Sequence, residues 1–90
     1  MNEIRSHIRY ELEKEIEYCI DEENTKEIFK GVITNISSAG ACLFIFKPLQ
    51  KEQKIIVKIK TGIRELKWKA DVRWCNELGE NIYKVGLVFV

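Results

Sequence analysis

The sequence predicts an all-β fold of six short antiparallel strands. Beyond residue 15 apolar residues recur at every second position, the period of a strand with one buried face. Polar or glycine-containing turns separate these runs, and no long helical period lies between them, which excludes a parallel α/β arrangement. The pattern alone allows a barrel or a sandwich. Closure into a barrel buries the aromatic residues and leaves few exposed edges, so a barrel is expected.

Length and composition indicate a single domain. The 90 residues are 46% hydrophobic and 32% charged, which is typical of a compact core under a charged surface. We expect an N-terminal arm over 1–14 and a barrel over 15–90. The formal net charge is only +1, so any site for an anion must be local.

The period-two runs define the expected strands in order. Gly31 interrupts the second run and suits a bulge. The fifth run is the clearest, because Leu66, Trp68, Ala70, Val72 and Trp74 alternate with polar residues and are expected to face the core. The runs cover residues 15–20, 27–36, 41–46, 55–60, 66–75 and 83–89.

The first fourteen residues allow two interpretations. Ile4, Ile8 and Leu12 recur at every fourth position, a weak signal of an amphipathic helix. The high content of Glu, Arg and Lys equally fits a flexible, solvated arm that leads into the barrel. We keep both interpretations, and neither places this segment in the core.

The cysteines suggest a reduced, cytoplasmic protein. Cys19, Cys42 and Cys75 are odd in number and widely spaced, which is unlike a disulfide framework or a zinc motif. No metal site or cofactor is therefore expected. The N-terminus lacks the apolar region of a signal peptide, and no apolar run is long enough to cross a membrane.

Arg5 and Arg9 form the first candidate site. Their spacing places both on one side of either an extended chain or a helical turn. Two guanidinium groups that converge can hold phosphates through paired hydrogen bonds and can stack on or hydrogen-bond a guanine base. Taken alone, the pair is better explained as two solvated surface arginines.

The turn over residues 35–40 is the second candidate site. Asn35 and Ser37 share the same parity, so their side chains are expected to project together. Gly40 permits a positive φ or the close approach of a ligand to the backbone. The alternative is structural, because Asn and Ser commonly cap turns through their own backbone.

In combination, these motifs resemble the PilZ domains. R-x-x-x-R at 5–9 is followed by N-x-S-x-x-G at 35–40, in the family's order and spacing. The resemblance extends over most of the chain. It includes Glu17-Tyr18, Gly31-Val32-Ile33, the fifth run over 70–74 and the terminal strand over 83–89.

The resemblance implies a six-stranded barrel of PilZ type that binds the bacterial second messenger cyclic di-GMP. Arg5 and Arg9 would hold phosphates and stack on guanine. Asn35 and Ser37 would hydrogen-bond a guanine edge or its phosphate, and Gly40 would shape the turn beneath. Ile4 stands where some members have a third arginine, which favours one ligand molecule. The expected function is a stand-alone sensor whose arm orders over the barrel and signals to an unidentified downstream protein.

Two departures from the family pattern affect the expected partners. The chain stops at Val90, without the C-terminal helix common in the family, so the apolar stretch 86–90 is a possible homodimer surface. No effector domain accompanies the barrel, so output would require another protein. An adaptor that no longer binds nucleotide is the alternative function.

Other classes of function fit less well. An oligonucleotide-binding barrel needs exposed aromatics beside basic residues, whereas the aromatics of the fifth run are in phase with the core. We therefore expect no binding to DNA or RNA and no membrane insertion. No nucleophile with a base is apparent, so no catalytic residue is expected. A lysine set could form a basic patch or simply solvate the sheet: Lys58, Lys60, Lys67 and Lys69.

Overall fold

Six antiparallel strands close into a barrel in this computed structural model, which describes residues 10–20 and 27–90. Around the barrel the strands follow the order β1-β2-β3-β6-β5-β4. The described residues contain no helix, and hence none that could cross a membrane. The strands are β1 (Tyr10–Ile20), β2 (Phe29–Ile36), β3 (Gly40–Ile45), β4 (Lys54–Thr61), β5 (Arg64–Gly79) and β6 (Ile82–Phe89).

The expected all-β barrel is confirmed, and the first strand starts earlier than the pattern indicated. β1 begins at Tyr10, so residues 10–14 continue the strand instead of belonging to an arm. Its pairing with β2 is irregular between Glu11 and Lys14. That irregularity breaks the alternation from which a strand is recognised in sequence.

The core fills the barrel interior and is apolar throughout. Its fully buried side chains come from all six strands, and Tyr18 stacks on Phe29 with ring centroids 5.3 Å apart. Trp68 stacks on Phe89 with ring centroids 5.6 Å apart. The largest buried side chains are Tyr18, Ile33, Leu43, Ile45, Ile55, Val57, Val72 and Val85.

The expectation that Trp74 faces the core is wrong. Val72 pairs with Leu87 but Trp74 pairs with Gly86, so Arg73 is an extra residue in β5. A bulge of this kind reverses the faces of all residues beyond it. Trp74 consequently lies outside with 38% of its surface exposed, and Cys75 takes the inward position against the core.

The ends of the strands differ from expectation too. Leu66 is in phase with the core but 38% exposed, because β5 extends beyond the end of β6 there. In the stretch 86–90, Leu87 is buried within the barrel, while Val90 is 80% exposed. Within this stretch Leu87 belongs to the core and Phe89 packs against it.

Candidate functional site

The turn after β2 is held together by Ser37. Its backbone N–H donates to the Gly40 carbonyl at 2.8 Å. Its hydroxyl oxygen accepts from the N–H groups of Ala39 at 3.1 Å and Gly40 at 3.3 Å. The capping role that the sequence left open is thus observed for Ser37. Its hydroxyl serves the shape of the turn.

Gly40 is a glycine because β6 passes directly against it. A Cβ atom built there would overlap the Leu87 carbonyl oxygen and lie 3.3 Å from the Val88 Cα. Its φ is not in the left-handed region, since among the described glycines only Gly62 has a positive φ. The close approach that the sequence suggested is made here by a neighbouring strand. The same strand anchors the turn, because Phe89 N–H donates to the Ala39 carbonyl at 2.8 Å.

A bulge in β2 turns Asn35 to the outside of the barrel. Ile33 pairs with Leu43 and both are buried, whereas Asn35 pairs with Cys42, so Thr34 is the extra residue. Thr34 secures the bulge by donating from Oγ1 to the Cys42 carbonyl at 3.4 Å. Without the bulge Asn35 would share the inward face of Ile33. Bulges commonly re-aim a side chain in this way at functional sites.

Asn35 belongs to a row of residues that crosses the outer face of four strands. Asn35 pairs with Cys42, Cys42 with Gly86, and Gly86 with Trp74. Paired residues share a face and have Cβ atoms about 4.5–5.5 Å apart. The Trp74 indole covers Gly86, because a Cβ atom built on Gly86 would overlap the ring. We call Asn35, Cys42, Gly86 and Trp74 the outer row.

The outer row offers groups suited to a planar, hydrogen-bonding ligand. An exposed indole can stack on a base, and an amide can donate to and accept from the edge of a base. Within the described part of the chain no side chain hydrogen-bonds the Asn35 amide. Lys84 adds a positive charge two residues from Gly86 on the same face, with Nζ 5.9 Å from the Phe44 ring centroid.

Trp74 is the residue that the sequence pattern missed. Strict alternation placed it in the core, and only the bulge turns it to the same outer face as Asn35. The usable signal was Gly86, a glycine inside an apolar strand, because such a glycine often marks the close approach of another group.

The arginine pair lies outside the described residues, but the start of β1 pairs with the end of β2, which leads into the second motif. Tyr10 pairs with Ile36, and Glu11 pairs with Asn35. Arg9 directly precedes Tyr10 in the sequence. The chain therefore enters the barrel beside the turn of the second motif.

Other chemistry-bearing groups lie apart from this face. A depression of about 280 Å³ between β1 and β4 mixes lysines with glutamates and contains no residue of either motif. All three cysteines are half-buried; Cys19 and Cys75 lie apart from the outer row, and Cys42 is part of it. No group of His, Cys, Asp and Glu able to hold a metal ion exists in the described ranges. The residues that line the depression between β1 and β4 are Lys14, Glu15, Ile16, Glu17, Lys30, Lys58, Lys60 and Glu65.

Comparisons with known proteins agree with this architecture. A family model described as the PilZ domain matches residues 3–90. The structure is similar to a Bacillus subtilis structure titled inhibitor of motility (MotI/DgrA), with a TM-score of 0.68 and 17% identity. That match covers 98% of this chain and 43% of the other, so this chain spans less than half the length of its neighbour. Curated protein sequences gave no match.

At 17% identity the structural likeness shows the fold alone. The family model carries more weight, because it spans both motifs and nearly the whole chain. PilZ domains are binding and adaptor domains that include receptors for cyclic di-GMP, and they are not enzymes. This chain belongs to the PilZ domain family.

Proposed function

We propose that this chain binds cyclic di-GMP on the outer face of its barrel, between the entry of β1 and the outer row. One observation carries the proposal: the register of β1 on β2 sets Tyr10 and Glu11 opposite Ile36 and Asn35. Tyr10, which follows the arginine pair in sequence, thereby pairs with the end of the strand that leads into the Asn-x-Ser-x-x-Gly turn.

Each part of the site has a distinct role in this proposal. Arg5 and Arg9 neutralise the phosphates through charge-assisted hydrogen bonds. Asn35 reads a guanine edge, and the Trp74 indole provides the surface on which a guanine stacks. Ser37 and Gly40 act through the shape of the turn, because the Ser37 hydroxyl already holds two backbone N–H groups. Lys84 contributes long-range attraction for the anion.

Ligand binding also supplies a signal. A dianion held between the arginines and the outer row fixes residues 1–9 against the barrel, and this creates a surface that a downstream protein recognises. The free energy of ordering that segment lowers the net affinity, as it does whenever binding orders a chain.

Calorimetric titration with cyclic di-GMP tests the proposal. Arg9→Ala and Asn35→Ala should each weaken binding by about 10-fold or more, as expected for a lost charged or base-reading contact. Arg64→Ala is the matched control, because Arg64 is exposed on the far end of β5 and should leave affinity unchanged. Binding that is indifferent to Arg5→Ala, Arg9→Ala and Asn35→Ala would overturn the site.

An adaptor without nucleotide binding is the alternative, and a separate surface favours it. Phe46, Leu78 and Ile82 are all exposed apolar residues near the β5–β6 turn, a feature common at protein-interaction sites. The same titration separates the two functions. No heat and no change in melting temperature with cyclic di-GMP would leave the adaptor as the better account.

A further inference from the structure

The hairpin of β4 and β5 extends beyond the rest of the barrel. β6 accompanies β5 only as far as Ala70, which pairs with Phe89, and Val90 N–H then donates to the Lys69 carbonyl at 2.9 Å. Between Arg64 and Trp68, β5 continues to pair with β4. On its other side no described residue pairs with this stretch, which we call the β5 edge (64–68).

At alternate residues of the β5 edge, the backbone N–H and C=O groups point away from β4 to the open side. Because Lys69 bonds to Val90, its polar backbone groups point away from β4. Residues two apart in a strand point to the same side, so the N–H and C=O groups of Lys67 and Glu65 also point to the open side. An edge with unpaired groups is a template for another strand.

We infer that a second copy of this chain pairs antiparallel along the β5 edge, with the two-fold axis at Leu66. In this register Glu65 of each copy lies opposite Lys67 of the other, and both exchange backbone hydrogen bonds. The charge pattern is thus self-complementary, as an interface between identical chains requires. The inference does not depend on the proposed ligand site, because no residue of the outer row belongs to the β5 edge.

Charges within the single chain support the same partner. Lys67 lies directly opposite Lys58 across β4 and β5, and like charges in that position are destabilising. No ion pair relieves Lys67 among residues 10–20 and 27–90. In the dimer, Glu65 of the second copy would lie beside Lys67 on the side away from β4 and would provide an opposite charge.

Exposed apolar side chains would be covered by the same register. Leu66 occupies a non-hydrogen-bonded position, where side chains from opposite strands approach most closely, and it would meet its counterpart. Trp68 would lie opposite Arg64 of the second copy. Ile63, which is fully exposed at the hairpin tip, would approach the exposed Val90 of the other chain.

Sedimentation velocity over a wide concentration range tests the register when wild type is compared with charge-reversed variants. Wild-type protein should form dimers as concentration rises. Glu65→Lys and Lys67→Glu each place like charges opposite one another and should weaken the dimer about tenfold. An equimolar mixture of these two variants restores opposite charges and should recover the dimer. Lys69→Glu is the matched control, because the backbone of Lys69 already bonds to Val90.

A cross-linking experiment gives an independent measurement. Leu66→Cys should form an intermolecular disulfide under mild oxidation, since its Cβ would lie within reach of its counterpart. Wild type, with its three native cysteines, and Arg73→Cys are the references. A wild-type protein that stays monomeric at every concentration would overturn the inference. So would a dimer that neither charge variant weakens and that Leu66→Cys does not cross-link, which would assign the contact to another surface.

Discussion

The indole of Trp74 covers the backbone of Gly86 on the outer face of the barrel. A Cβ atom built on Gly86 would lie 2.6 Å from Cζ2 of the ring and would overlap Nε1. The two residues pair across β5 and β6. The absence of a side chain on one strand therefore determines how the aromatic ring on the next strand lies.

Gly86→Ala should displace the Trp74 ring while leaving the barrel folded. The ring must move away, but replacing a strand glycine recovers about 0.5–1 kcal/mol, so net stability should change by less than about 1 kcal/mol. Tryptophan fluorescence in a Trp68→Phe background isolates Trp74 and should report a more solvated ring. An unchanged emission spectrum would show that the contact does not hold the ring.

Gly40→Ala should destabilise the protein strongly, because the new methyl group meets the backbone of β6 and not a mobile side chain. We expect a loss of about 2–4 kcal/mol in the free energy of unfolding. Gly79→Ala is the matched control, since nothing lies within 4 Å of a Cβ built there. Urea denaturation measures both. Equal midpoints for the two variants would contradict the packing described at Gly40.

Ser37→Ala should loosen the turn that carries the second motif. Two N–H groups, those of Ala39 and Gly40, lose the oxygen that accepts from them. The expected cost is about 1 kcal/mol, the usual value for a capping hydroxyl. Ser37→Thr keeps the oxygen and should retain most of the stability. Faster amide hydrogen exchange at residues 39 and 40 in Ser37→Ala alone would locate the effect. Exchange that is equally slow in both variants would argue against this role.

Tyr18 should make the protein less stable in alkali. Burial raises the pKa of Tyr18 from 10.0 to about 12, and the nearby Cys75 adds a smaller effect. The unfolded chain releases this proton near pH 10, whereas the folded chain keeps it. Stability present below pH 10 is therefore lost as pH rises towards about 12, by about 2–3 kcal/mol.

Comparison of wild type with Tyr18→Phe isolates this contribution, because other tyrosines and lysines titrate over the same range. Urea denaturation at about pH 9 and about pH 11 gives the pH dependence of each protein, and the wild type should lose more stability between them. Identical losses in the two proteins would exclude Tyr18 as the source. The absorbance of tyrosinate offers a direct measure of the raised pKa.

Sequence alone predicted the number of strands, their order along the chain and the barrel, because a strand with one buried face has apolar residues at every second position. It did not predict the inserted residues Thr34 and Arg73, which carry no local signal such as glycine or proline. Those two residues decide that Asn35 and Trp74 face outward together. The core position expected for Trp74 failed for this reason.

The glycine of the turn illustrates a second limit. Gly40 was interpreted through its own motif, as a residue shaped for a turn or a ligand. Its steric reason is the carbonyl group of Leu87, more than forty residues further along the chain. A motif read along the chain cannot reveal a neighbour that only the closed sheet supplies. The roles of Arg5 and Arg9 stay predictions, since both residues lie outside the described ranges.

The extra residue at Arg73 changes which residues of β5 face the core. Before it, even-numbered residues such as Ala70 and Val72 lie inside, and after it the odd-numbered Cys75 does. Deleting Arg73 would leave a regular ladder with the same pairs, so Val72 and Cys75 would stay inside and Trp74 would stay outside. Deleting Val72 instead would place the charged Arg73 at the buried position opposite Leu87. A single-codon deletion at Arg73 should therefore harm the protein less than the same deletion at Val72.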